Sequence, residues 1–255
     1  MAASKWPPYS SLPHVAPNGT VCEPLSGRFS VICRPEEGGE GIQRAIDDCE
    51  EGGSILLREG VYHVMKMLRI DRSVHIFGRG RAELRGCMPR SSILVLATSD
   101  HPATLYRLRV NNLTQDYSYA ICVASGGRLR LQGCNVSSHI QNRFLTIEAS
   151  GASAVVDILG CTVSGGGAAI GIRDGAAGRI EGCVLQGFTS SSMGILLSSG
   201  ASPHVARNRI RNFPSGVRVR SDVDPAWSLG EGNVFESCLD EAEDGRQPAI
   251  PLHVE

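Results

Sequence analysis

The feature that most constrains this chain is a repeat with a period close to 25 residues. A Gly-Cys pair between aliphatic residues recurs three times, as LQGCNV at 131–136, ILGCTV at 158–163 and IEGCVL at 180–185. In this register Cys134, Cys161 and Cys183 lie 27 and 22 residues apart. The same position is filled in neighbouring repeats by Leu108, Asn208 and Asn233. A fixed period of about 20 to 50 residues is the signature of a repeat architecture.

Aliphatic residues recur in the same register, and their spacing predicts strands. One column precedes the Gly-Cys pair and consists of Leu105, Leu131, Ile158, Ile180 and Val205. A second column follows the pair and consists of Val110, Val136, Val163, Leu185, Ile210 and Phe235. A third group consists of the pairs Ile121/Val123, Leu145/Ile147, Ile170/Ile172, Ile195/Leu197 and Val217/Val219. Alternation over short segments between Gly, Ser and Asn turns is typical of strands rather than helices.

Two or three short strands in every repeat predict a stacked solenoid. Leucine-rich repeats share the period, but they require a consensus of the form LxxLxLxxN, which this chain lacks. The sequence therefore favours an all-β fold, a parallel β-helix of about seven coils in which each coil buries its inward face against its neighbours.

The cysteines of the repeat are expected to be structural. Cys134, Cys161 and Cys183 would form a ladder of inward-facing cysteines along the solenoid. Asn208 and Asn233 would continue the same column as an asparagine ladder. Cysteine is small, apolar and often fully buried. Neighbouring rungs lie about 4.8 Å apart, a spacing that leaves a disulfide or a reactive thiol open as alternatives. The nine cysteines include no CxxC pair, so no zinc site is predicted.

A different pattern precedes the repeats and predicts a short helix near residues 40–50. In GIQRAIDDCEEGG the residues Ile42, Ala45, Ile46 and Cys49 follow helical spacing and define one apolar face. Such a helix would cover the open N-terminal end of the solenoid and protect its strand edges.

This region also carries a family resemblance. The run IQRAI…GGSILLREGVYHV…LRIDRSVHIFGRGRAELRG resembles the entry segment of right-handed parallel β-helix proteins of the pectin-lyase-like type. The coils behind it are similar to the CASH repeats of carbohydrate-active enzymes and to the repeats of intracellular β-helix F-box and spindle-associated Shc-binding proteins. The resemblance covers about residues 38–238. It implies a right-handed β-helix, but because the matching residues are packing and turn positions it does not specify an activity.

Three segments are predicted along the chain. Residues 1–37 are rich in proline and read as an extended arm, either partly unfolded or laid along the β-helix, with Cys22 and Cys33 as candidate anchors. Residues 38–238 form the β-helix domain, and residues 239–255 a C-terminal cap or tail. The sequence contains no apolar leader and no run of about 18 apolar residues, which predicts a cytoplasmic protein without a membrane segment.

No catalytic residue, metal site or cofactor is predicted. The acidic residues of the coils are scattered, and the histidines fall in surface or turn positions. Asp157 is in register with Arg130, which predicts a surface ion pair. The glycine-rich run SGGGAAIG at 164–171 precedes a strand rather than a helix, so it predicts a tight turn and not a phosphate loop.

The candidate binding residues are four outward-facing arginines, Arg209, Arg211, Arg218 and Arg220. Arg107, Arg109, Arg128 and Arg130 are expected on strands equivalent to that of Arg209 and Arg211. Two interpretations remain open. The four arginines could belong to solvated strands with ion pairs between coils, or they could form a basic stripe for an acidic peptide, a phosphate or an anionic glycan. No aromatic residues interleave with them, which argues against nucleic acid.

Three functions are compatible with these observations. The favoured one is a non-enzymatic, intracellular interaction scaffold that presents a lateral face to a protein partner. The second is a carbohydrate-binding or carbohydrate-active protein, and the third is a cytoskeleton-associated structural protein. The fold alone does not discriminate between them.

Overall fold

The computed structural model describes residues 29–86, 90–97, 100–115, 117–188, 192–220, 222–224, 227–238 and 240–244. Within these ranges the chain forms 25 β-strands, one α-helix and one short 3-10 helix. The strands are assembled into three parallel sheets, and successive strands along the chain pass from sheet 1 to sheet 2 to sheet 3.

The strands are numbered in chain order, and from β2 onward neighbouring strands of a sheet are three strands apart along the chain. Sheet 1 consists of β1 Val31–Cys33, β2 Gly53–Leu57, β5 Val74–Gly78, β8 Ala103–Tyr106, β11 Arg128–Gln132, β14 Val155–Leu159, β17 Ala177–Glu181, β20 Ser202–Ala206 and β23 Ser228–Leu229. Sheet 2 consists of β3 Gly60–Val64, β6 Ala82–Gly86, β9 Arg109–Asn112, β12 Asn135–Ser138, β15 Thr162–Gly165, β18 Val184–Gly187, β21 Arg209–Arg211 and β24 Val234–Glu236. Sheet 3 consists of β4 Leu68–Ile70, β7 Arg90–Val95, β10 Ser118–Val123, β13 Leu145–Ser150, β16 Ala168–Arg173, β19 Met193–Leu197, β22 Ser215–Val219 and β25 Asp240–Asp244.

The predicted parallel β-helix is confirmed, with about eight turns in place of about seven coils, since sheets 2 and 3 each contain eight strands. The terminal turns are hard to count from sequence because their strands are short, as in the two-residue β23. Residues 31–33, which the sequence placed in the arm, form the first strand of sheet 1.

The predicted inward columns of sheets 1 and 2 are in register. On sheet 1, Leu131 pairs with Leu105 on one side and with Ile158 on the other. On sheet 2, Val136 pairs with Val110 and Val163 in the same way. All of these side chains are buried in one continuous core. Each turn therefore buries its aliphatic residues against the turns before and after it.

One member of the third group was assigned to the wrong rung. On sheet 3 Ile147 pairs with Ile121, and Ala149, not Leu145, completes the inward pair. Leu145 lies at the start of the strand, where its side chain packs against Gly171, a residue without a side chain. Leu145, Ile147 and Ala149 are two residues apart, so the pairs Leu145/Ile147 and Ile147/Ala149 fit the same alternation, and hydrophobicity alone favours the first. Only the pairing register separates the two choices.

The predicted helix is confirmed as α1, Gly38–Asp48, after a 3-10 helix at Pro35–Glu37. Its apolar face is buried over the first turn. The Gln43 side chain donates to the Arg69 carbonyl oxygen at 3.1 Å and accepts from the Arg69 amide at 2.8 Å. Because β4 is the edge strand of sheet 3, the helix satisfies backbone groups that another chain could otherwise pair with.

The Gly-Cys motif marks a repeated corner between sheets 1 and 2. The residue before each inward Leu, Cys or Asn of this register has a positive φ, between 50° and 76°, at Arg107, Gly133, Gly160, Gly182, Arg207 and Gly232. This left-handed conformation favours glycine, because other residues incur a steric cost there. The motif therefore combines a residue that turns the chain with a small residue that fits inside the turn.

The inward cysteines and asparagines bond to the preceding turn by the same route. The thiol of Cys183 donates to the Ile158 carbonyl oxygen at 3.2 Å, and the amide of Asn208 donates to the Ile180 carbonyl oxygen at 2.8 Å. The Asn208 side chain also accepts from the Cys183 backbone N–H at 2.9 Å. Both residue types thus satisfy a buried carbonyl group, which explains how they share one register.

We expect Gly160→Ala to lower the free energy of unfolding by about 1 kcal/mol, because alanine has a Cβ penalty in the left-handed region. An added Cβ at Gly160 meets no atom within 4 Å, so the cost is one of backbone conformation and not of collision. Gly160→Asn should cost less, since asparagine tolerates this conformation. Urea unfolding of the three proteins tests this, and an alanine variant as stable as the parent would contradict it.

Candidate functional site

The structure divides the four candidate arginines between two sheets. Arg209 and Arg211 are the first and last residues of β21 in sheet 2, and Arg218 lies in β22 of sheet 3 with Arg220 directly after it. All four are exposed, as the alternation predicted. Alternation specifies which side chains point outward but not which sheet carries the strand, so the stripe seen in sequence is not one continuous surface.

The positive charge of Arg209 is balanced by Glu236, which lies in the next turn of the solenoid. Its Nε donates to Glu236 Oε1 at 2.7 Å, and the ion pair holds the pKa of the Glu236 carboxyl below its ordinary range. This agrees with the interpretation of ion pairs between coils for this arginine. The prediction that Arg209, Arg211, Arg218 and Arg220 act together in binding stays a prediction.

The expectation that the earlier arginines lie on strands equivalent to that of Arg209 and Arg211 is confirmed for Arg109 and was wrong for Arg128 and Arg130. Arg128 and Arg130 lie in β11 of sheet 1, while Arg109 lies in β9 of sheet 2. Arg107 occupies the left-handed corner between those sheets. The sequence spacing did not show that Arg128 and Arg130 precede the corner between sheets 1 and 2, whereas Arg209 and Arg211 follow it.

The pairing of Arg130 with Asp157 is confirmed, but its surface location was wrong. Arg130 Nη2 lies 3.2 Å from Asp157 Oδ2, and both residues are buried. Arg179 approaches the same carboxylate from the next turn, with Nη2 at 3.3 Å. Two cations around one buried carboxylate form a desolvated cluster, in which removal of one partner leaves an uncompensated charge.

A second buried carboxylate lies on the outer side of sheet 3. Glu148 accepts from Arg173 Nε at 2.5 Å and from the Cys122 thiol at 3.6 Å. Burial, together with the Glu148 charge, raises the pKa of Cys122 to about 12. The Cys122 thiol is therefore protonated at neutral pH, and it is a hydrogen-bond donor rather than a nucleophile.

The described residues contain no arrangement that could hold a metal ion through three or more His, Cys, Asp or Glu side chains. The seven cysteines among them, at positions 33, 49, 122, 134, 161, 183 and 238, are free thiols. In the same part of the chain, neither helix combines the length and the apolar character that a membrane span requires.

Sequence reasoning missed a cluster of exposed apolar side chains. Among the described residues, eight large apolar side chains are exposed, and six of them lie in loops that connect sheet 2 to sheet 3. These six, which are 40% to 69% exposed, are Met65, Met67, Leu113, Tyr117, Ile140 and Phe188. Together with the half-buried Phe144 they define the apolar corner. The signal in the sequence was the presence of Leu, Ile, Tyr and Phe in turn segments that are ordinarily polar.

Buried amides hold the loops of the apolar corner in place. Asn112 donates to the Ser118 hydroxyl at 2.7 Å, and Asn142 donates to the Ser118 carbonyl oxygen at 2.7 Å. The Tyr117 ring meets the Phe144 ring edge-on, with centroids 5.7 Å apart. The side chains of Tyr117 and Phe144 are therefore presented on loops that buried hydrogen bonds fix in place.

The glycine-rich run forms the tight turn that the sequence predicted. A Cβ on Gly166 or Gly167 would collide with the carbonyl oxygens of Ile140 and Phe144 in the loop of the preceding turn. The two glycines allow the chain to pass directly against that loop, and they support the apolar corner from the side.

His75 lies on the outer side of sheet 1, where its Nδ1 is buried without a hydrogen-bond partner. Burial, with smaller contributions from His101 and Arg130, lowers the pKa of His75 below its ordinary value of 6.5. Above pH 6.5 the folded and unfolded states both hold this ring neutral, and as the pH falls below that value the unfolded state binds the proton first.

We therefore expect the free energy of unfolding to decrease as the pH falls from 7 towards 5. The His75→Gln variant should show a smaller decrease, because glutamine does not titrate. His63→Gln removes an exposed histidine of β3 and serves as the control. The measurement is the free energy of unfolding at both pH values. An equal acid loss in parent and His75→Gln would show that His75 is not the responsible group.

A comparison with protein families agrees with this architecture. A family model described as "Right handed beta helix region" matches residues 91–239, more than half of the chain. Among solved structures, ORF18 of Geobacillus virus E2 is similar, with 10% identity and a TM-score of 0.42. That alignment covers 83% of this chain but only 60% of the viral chain. No curated protein matches. The family match, together with the parallel solenoid, shows that the chain belongs to the right-handed β-helix family.

Proposed function

We propose that this protein is a non-enzymatic interaction scaffold that binds a protein partner along the apolar corner. The observation that carries the proposal is the concentration of exposed apolar side chains on one edge of the solenoid. Scattered apolar residues are normal on protein surfaces, but their concentration on one edge favours an interaction site. The two other exposed apolar side chains, Ile32 and Val234, lie near opposite ends of the solenoid, in its first and last turns.

The length of the apolar corner suits a protein partner. It extends from the loop after β3 to the loop after β18, which are five strands apart in sheet 2. With about 4.8 Å between neighbouring strands, this corresponds to about 24 Å. Aromatic residues and methionine are enriched in interfaces because they supply large contact areas, and the corner contains Met65, Met67, Tyr117, Phe144 and Phe188.

The charges around the corner favour an acidic partner. The described Lys and Arg residues of the corner loops are Lys66, which is paired with Glu40 at 3.0 Å, and Arg143. Arg211 ends β21 and Arg218 lies in β22, the two strands that flank the next loop between sheets 2 and 3. A partner with apolar anchors and nearby carboxylates or phosphates would complement both features.

A second candidate function is glycan binding on the outer side of sheet 2. Here Asn135 pairs with Thr162, and Ser137 pairs with Ser164, which gives a flat polar row that reaches solvent. Such a row offers hydroxyl and amide groups to a sugar. Binding to a glycan array that is lost in an Asn135→Ala, Thr162→Ala double variant, and retained when the apolar corner is altered, would favour this function over the scaffold.

The scaffold proposal is tested by placing a photo-cross-linking amino acid at Tyr117 of the full chain and, as a matched control, at Thr162 on sheet 2. We expect cross-linking to one discrete protein from Tyr117 and not from Thr162. The Ile140→Ser, Phe188→Ser variant should reduce that product about tenfold or more, since apolar anchors dominate interface energies. Its melting temperature should stay near that of the parent, because the substituted side chains are exposed. Equal products from both positions, or an unchanged yield in the variant, would contradict the proposal.

A further inference from the structure

Part of the outer side of sheet 1 is buried, in contrast to the outer side of sheet 2. Four outward-facing side chains of sheet 1 are only 2% to 9% exposed, namely Thr104, Tyr106, Arg130 and Asp157. Each of them neighbours an inward residue such as Leu105, Leu131 or Ile158 in its own strand. Outward residues at corresponding levels of sheet 2, such as Arg109, Asn135 and Thr162, are exposed. A side chain that points away from a single sheet is buried only where other atoms lie over it.

Aromatic rings mark where that covering begins. The Phe77 ring stacks on the Tyr106 ring of the next turn, with centroids 4.7 Å apart and nearly parallel planes. Phe29 meets Phe77 edge-on, with centroids 5.5 Å apart. Phe29 is also the first described residue of the chain, and the strand that follows it is β1 of sheet 1. The Phe29 side chain therefore lies on the outer side of this sheet.

The same surface contains polar atoms that still need partners. The hydroxyl of Tyr106 and the Nδ1 of His75 are buried without a hydrogen bond. They are on adjacent turns, since His75 pairs with Thr104 and Phe77 pairs with Tyr106. Buried polar groups without partners cost free energy, so a segment that supplies backbone carbonyl and amide groups would be retained here.

We propose that residues 1–28 of this chain lie over the outer side of sheet 1, from the level of β5 to the level of β14. The two levels are three strands apart in the sheet, about 14 Å. About five extended residues cover that distance, and 28 residues precede Phe29. The proposal is independent of the apolar corner and of the function proposed for it.

The composition of residues 1–28 suits this surface. The segment contains Trp6, Tyr9 and five prolines, at positions 7, 8, 13, 17 and 24. Proline-rich segments adopt an extended helix whose backbone carbonyl groups are not bonded internally. Such segments dock on aromatic-lined surfaces, where side chains donate to those carbonyl groups. Phe77 and Tyr106 provide the aromatic surface, and the Tyr106 hydroxyl provides a donor.

The first test places a photo-cross-linking amino acid at Gln132, which neighbours Tyr106 on the outer side of sheet 1, and at Thr162 as the control. The purified full chain is irradiated, and intramolecular products are mapped by mass spectrometry. Products between position 132 and residues 1–28, absent from the control, would support the proposal. Products with residues 245–255, products with a co-purified protein, or no product at all would overturn it.

The second test needs no substitution on sheet 1. The chain has two tryptophans, so Trp227→Phe leaves Trp6 as the only one. We expect acrylamide to quench Trp6 several-fold less in the folded protein than in urea. A further Tyr106→Ser substitution should increase quenching in the folded state, whereas Tyr117→Ser at the apolar corner should not. Equal quenching of Trp6 in the folded and unfolded protein would overturn the proposal.

Discussion

Each turn of this solenoid buries its inward side chains only against the turns before and after it, and the rest of the structure depends on this stacking. The strands supply one hydrogen-bonded ladder on each of three sheets. The aliphatic columns supply a continuous core from Ile55 near the helix to Phe235 in the last turn. No turn has a core of its own, so stability is shared between neighbours, and α1 is needed where the stack begins.

The corner between sheets 1 and 2 shows how stacking selects residues. A left-handed residue redirects the chain, and the next side chain must be small and must satisfy a carbonyl group of the preceding turn. Cysteine and asparagine meet these requirements by different chemistry, a thiol donor at Cys183 and an amide donor at Asn208. The repeat of Gly-Cys is therefore explained by packing, with no need for metal binding or catalysis.

The three outer surfaces have different characters although they are built from the same repeat. Sheet 2 exposes small polar residues such as Asn135 and Thr162, whereas sheet 1 holds the Arg130–Asp157 pair in a buried environment. The loops between sheets 2 and 3 expose apolar side chains such as Tyr117 and Ile140. A solenoid whose inward positions are committed to the core can vary its outer positions freely. Its functions are therefore expected at such outer positions.

The parallel solenoid, the N-terminal helix and most of the inward columns could be predicted from the sequence. Strand alternation and a fixed period depend only on the order of residues along the chain, so they can be recognised without knowledge of the tertiary contacts. It placed Ile158 and Val136 on their correct rungs, but it misassigned the rung of Leu145, because Leu145/Ile147 and Ile147/Ala149 fit the same alternation. Only the tertiary structure decided which outward residues share a surface. It separated Arg211 from Arg218, buried Asp157, and brought Tyr117 close to Phe144. Neighbours on the outside are residues about 25 positions apart, and their contacts depend on the path of each corner and on what covers each sheet, neither of which a periodic pattern encodes.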